Sequence, residues 1–139
     1  MLDTIKSGTP IRTEVSSPRR PTQAGPDFSW TVTAIAAVAW VTFMGISMAV
    51  QPPAPDPTAP IALSAVVVGL AFHSALFAAA AGLGTRHRYG LWATLAGGLV
   101  MIGAAVLCYW GGHTGTWIAV QLGSGVGLTA IATGLIRVG

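Results

Sequence analysis

Four stretches, at about 28–50, 61–84, 91–110 and 117–136, contain no Asp, Glu, Lys, Arg or Pro. A helix needs about 20 apolar residues to cross a hydrocarbon layer about 30 Å thick, and each stretch is that long. Inside hydrocarbon the backbone has no water to bond, so a segment of this kind must satisfy its own N–H and C=O groups as a helix. All nine prolines fall in the first 27 residues or in the 51–60 connection, where they break nothing.

Composition removes the other options. Charged residues are 8% of the chain and hydrophobic residues 53%, whereas soluble domains carry about 25% charged residues. A chain of 139 residues has too little interior to hide that much apolar surface from water, and too much apolar surface to remain disordered throughout. The expected fold is an all-α integral membrane protein, a bundle of four transmembrane helices.

The basic residues predict its orientation. Lys6, Arg12, Arg19 and Arg20 precede the first stretch, Arg86 and Arg88 lie between the second and third, and Arg137 follows the fourth. All seven are therefore on one side of a four-pass chain, and the loops on the other side hold only Asp56 as a charged residue. The positive-inside tendency makes both termini cytoplasmic. Trp30, Tyr89 and Trp92 fall at that boundary and Tyr109, Trp110 and Trp117 at the opposite one, as an aromatic belt requires; only Trp40 lies mid-helix. Asn is absent and Lys occurs once against six Arg. That usage predicts a GC-rich bacterial genome, hence a multi-pass protein of the plasma membrane.

Residues 1–27 hold four basic groups against Asp3, Glu14 and Asp27, with four prolines. They are expected to form a disordered cytoplasmic tail, with 28–139 as the transmembrane domain. The 51–60 connection has five prolines and should be extended. The first stretch exceeds the 7–15 residues of a usual signal-peptide core, so it is expected to stay as an anchor. At an offset of 52, Trp40, Thr42 and Gly45 align with Trp92, Thr94 and Gly97, and a run from Val68 to Leu83 aligns with Val120 to Leu135. Two parallel hairpin repeats would give such a pattern, and so would chance in Ala- and Gly-rich helices.

Few residues carry chemistry. His73 is the only histidine within a span, near the middle of the second. Ionisable groups at that depth usually face the bundle interior and mark ligand or ion sites. The uncharged ring has one donor and one acceptor. It can bond across helices to a partner such as Gln121, line a transport path, or serve a haem or a quinone. Gln121, Ser124, Thr129 and Thr133 make the fourth span the most polar, so His73, Gln121 and Ser124 are the candidates for a ligand site or path. Gly123 and Gly127, spaced as in GxxxG, and Ala71 and Ala75 are candidates for close helix contact. Arg86 and Arg88 are candidates for a lipid head group or an acidic partner. The single Cys108 makes no internal disulfide, and His113 lacks nearby carboxylates, so no metal site is expected.

No phosphate-binding loop, dinucleotide fingerprint or HExxH occurs, and no carboxylate lies in any span. The expected function is therefore non-enzymatic. It is an accessory or assembly subunit of a larger membrane complex or a self-associating membrane protein, with the bilayer as its medium and no nucleic-acid partner. The alternatives are a small homo-oligomeric transporter or channel with His73 in its path, and a membrane anchor for haem or quinone.

Overall fold

The computed structural model describes residues 27–52 and 62–138. They form four helices: α1 (Trp30–Ala49), α2 (Leu63–Gly84), α3 (Arg88–Trp110) and α4 (Thr116–Val138). Each is long and apolar enough to cross a membrane. The predicted tail (residues 1–26 of it) and most of the proline-rich connection lie outside the described residues.

The helices stand at the corners of a square. α3 packs extensively on both α2 and α4; α1 packs on α4, touches α2 lightly and reaches α3 across the diagonal; α2 and α4 do not meet. The two hairpins related by the offset of 52 are therefore not alike, since α3–α4 is close and α1–α2 is open. The aligned residues differ as well: Trp40 is buried and Trp92 exposed, while Thr42 is exposed and Thr94 buried.

Small residues set the close approaches. α3 and α4 meet where a Cβ on Gly98 would lie 2.9 Å from the Thr129 amide nitrogen, and one on Gly125 the same distance from the Gly98 carbonyl oxygen. Gly82 of α2 and Gly90 of α3 similarly leave no room for a side chain.

At one end, the clasp end, the α2–α3 turn is tied to the start of α1. α2 ends with the His87 amide donating to the Gly82 carbonyl (2.8 Å) and the Arg86 amide to that of Leu83 (3.1 Å). This termination puts its next residue in the left-handed region, usually as Gly. Here that residue is Arg86, at φ 56°, where a side chain costs about 1–2 kcal/mol. Three contacts offset the cost. The Arg86 carbonyl accepts from the Asp27 amide (2.9 Å), its guanidinium lies 4.8 Å from the Trp30 ring centre, and the Asp27 carboxylate accepts from the Arg88 amide (2.9 Å). That last bond caps α3, which is why α3 begins at Arg88 and not at Leu91 as the apolar run suggests.

Candidate functional site

α2 leans on α3 through Ala75, Ala79, Gly82 and Leu83. At about 100° per residue, His73 lies about 200° round the helix from Ala75. The structure accordingly puts His73 on the outside of the bundle, exposed beside Leu70, Ser74 and Phe77. This corrects the expectation of an interior imidazole bonded to Gln121. Nδ1 is 2.7 Å from the Gly69 carbonyl oxygen, one turn back in the same helix, and the ring meets Phe72 edge-on at 6.0 Å. With Nδ1 carrying the proton, Nε2 is an acceptor, and it has no partner among the described residues.

The interior polar centre is a pair the sequence reading did not join. Trp40 of α1 reaches across the diagonal, and its indole N–H donates to Thr94 Oγ1 (3.0 Å). That hydroxyl donates in turn to the Gly90 carbonyl (2.8 Å). Gly97 leaves the space the indole fills. Trp40 also packs on Phe72, with ring centres 5.8 Å apart.

Beyond this pair, towards the far end, a cavity of about 120 Å³ lies between the helices. Met44, Ser47 and Met48 line it from α1, Phe72 from α2, Met101 from α3 and Gln121 from α4. Ser47 Oγ is buried there without a hydrogen-bond partner. Phe72, which packs on Trp40, stands in the wall, and the exposed Met48 and Gln51 form the rim. Compared with protein-family models, with curated proteins and with solved structures, the chain matches none. The site is therefore read from its own residues.

The remaining candidates do not share one place. Gln121 lines the cavity, whereas Ser124 is buried at the α3-facing side of α4 beside Gly125. Within this bundle Gly123 has no neighbour within 4 Å of a built Cβ, and Gly127 faces the Phe43 ring of α1. The close approach of α4 to the backbone of α3 is made at Gly125, between them. Ala75 is buried and Ala71 exposed. Arg86 is engaged with Trp30 and Asp27, and Arg88 is an exposed residue at the start of α3. His87 Nδ1 is 3.5 Å from the Asp27 carboxylate. Among the described residues no cluster of three or more His, Cys, Asp or Glu is placed to hold a metal. The methionines drew no attention in sequence; the i, i+4 spacing of Met44 and Met48, with Ser47 on the same side, was the available signal.

Proposed function

We propose that this chain is a non-catalytic membrane subunit that works by association, either with a larger membrane complex or with copies of itself, through the exterior face of α2. His73 carries this reading. A ring nitrogen without a partner, presented at mid-span on the outside of a bundle, is costly in hydrocarbon, and a hydrogen-bond donor on a neighbouring helix would satisfy it. Ser74 stands exposed beside it and adds a second polar group to the same face. The distribution of basic residues supports cytoplasmic termini, and the absence of Asn with a single Lys supports a bacterial plasma membrane.

The experiment is purification of the tagged chain from native membranes in mild detergent, followed by mass measurement of the intact complex. A stoichiometric partner or a defined homo-oligomer is expected, and His73→Leu should release it while leaving the monomer folded. A wild-type monomer, or a complex that His73→Leu leaves intact, would sink the reading. A transport path that includes His73 would have to run between copies, since the residue lies outside the single bundle.

One observation favours a second reading, the haem or quinone anchor. An imidazole that spends Nδ1–H on a carbonyl presents Nε2 as metal-binding histidines do. A Soret band that disappears in His73→Ala would select it, and a colourless complex would reject haem.

A further inference from the structure

The cavity at the far end stands apart from the exterior face of α2 and has its own chemistry. Met44, Met48 and Met101 are all the methionines among the described residues, and all line this one space. Met44 and Met48 are one turn apart on α1, and Met101, 4% exposed, comes from the diagonal helix α3. Methionine in a core normally fills irregular gaps. Here the gap persists: about 120 Å³ remains open beside the side chains best able to close it. A water's share of liquid volume is about 30 Å³, so the space admits an ion with a water or two. Ser47 Oγ, buried and unpartnered, marks the same space as polar.

We propose that this cavity binds a soft monovalent cation, of which Cu(I) is the biological type, through the thioethers of Met44, Met48 and Met101. Thioethers are soft, neutral ligands and select Cu(I) over hard or divalent ions. No carboxylate, imidazole or thiol lines the cavity. A divalent ion would bring two charges into the span with nothing to neutralise them, whereas a single charge on a polarisable ion is carried by the sulfur donors. The Phe72 ring in the wall adds a π-face that favours a cation. Ser47 Oγ and the carboxamides of Gln121 and, at the rim, Gln51 are the polar side-chain groups available to a bound water. The exposed side chain of Met48 at the rim gives the ion its route in. The arrangement is therefore one for capture and release at the far end. The proposal does not depend on association through α2.

Ag(I), a redox-inert soft cation, is the probe. It is titrated calorimetrically into the full-length protein in detergent, in a Cys108→Ser background that removes the one thiol. One ion per chain is expected, with no competition from Zn²⁺. The M44L/M48L/M101L variant should weaken binding by about a hundredfold, the scale on which metal sites respond to damage, while its helical circular dichroism is retained. If that variant fails to fold, Met48→Leu at the exposed rim serves alone, and a loss of about tenfold is expected. X-ray absorption of the Cu(I)-loaded protein under reductant should show sulfur neighbours. Absence of binding in the Cys108→Ser protein, or unchanged affinity in the triple variant or in Met48→Leu, would overturn the proposal.

Discussion

Thr94 shows how much of the interior rests on one hydroxyl. It accepts from Trp40 and donates to Gly90, both within the buried core. Thr94→Val keeps the shape and leaves the indole N–H without an acceptor, so unfolding in detergent should show a loss of about 1–2 kcal/mol. Thr94→Ser, which keeps both bonds, should stay closer to wild type. Asp27 acts by charge at the clasp end. Its hydrogen bond from the Arg88 amide, chiefly, and then the His87 ring hold its carboxyl below the usual 3.8, against the opposing pull of desolvation. A carboxylate lowered in this way contributes its full stability above the unfolded value and loses it as pH falls through the lowered one. Thermal unfolding should therefore show Asp27→Ala less stable than wild type at neutral pH, with the gap closing well below pH 3.8. A gap that persists in acid would mean that the carboxylate charge is not what holds the turn.

At the scale of the helix, the sequence told where the spans are and little about which way they face. The four apolar runs are legible because one charge or proline within them would be so costly. Their faces are not, because helices apolar all round mark no inward side. His73 was expected inward because ionisable groups at that depth usually face the interior, and only the contact of α2 with α3 through Ala75 and Ala79 turns it out. The start of α3 was missed because its cap comes from Asp27, 61 residues earlier in the chain. The cavity was missed because Met101 is remote from Met44 and Met48 in sequence. Glycines give the sharpest test at this scale. Gly98→Ala would press a methyl against the Thr129 amide and the Gly125 carbonyl, which should cost about 1–3 kcal/mol as overpacking. Gly103→Ala, on the same helix with open space around it, should instead gain about 0.5–1 kcal/mol from backbone entropy. Unfolding midpoints of the two variants should move in opposite directions.

For the whole molecule, orientation is the first thing to measure. A reporter fused after Gly139 that works only in the cytoplasm should be active, and a periplasm-specific reporter at the same place silent. The reverse would invert the bundle and place the thioether cavity on the cytoplasmic side.

The square has a further consequence, for biosynthesis. The main neighbour of α1 is α4, the last of these four to leave the ribosome. While the chain is being made, the first helix must wait in the bilayer through the synthesis of two others, with only its lighter contacts to α2 and α3 to hold it. The tie from Asp27 can form only once Arg86 and Arg88 have emerged, and the ring closes only after Thr116 and the residues that follow are inserted. A chain stopped before α4 therefore presents an unfinished bundle, with Phe43 on a helix that has lost its principal support.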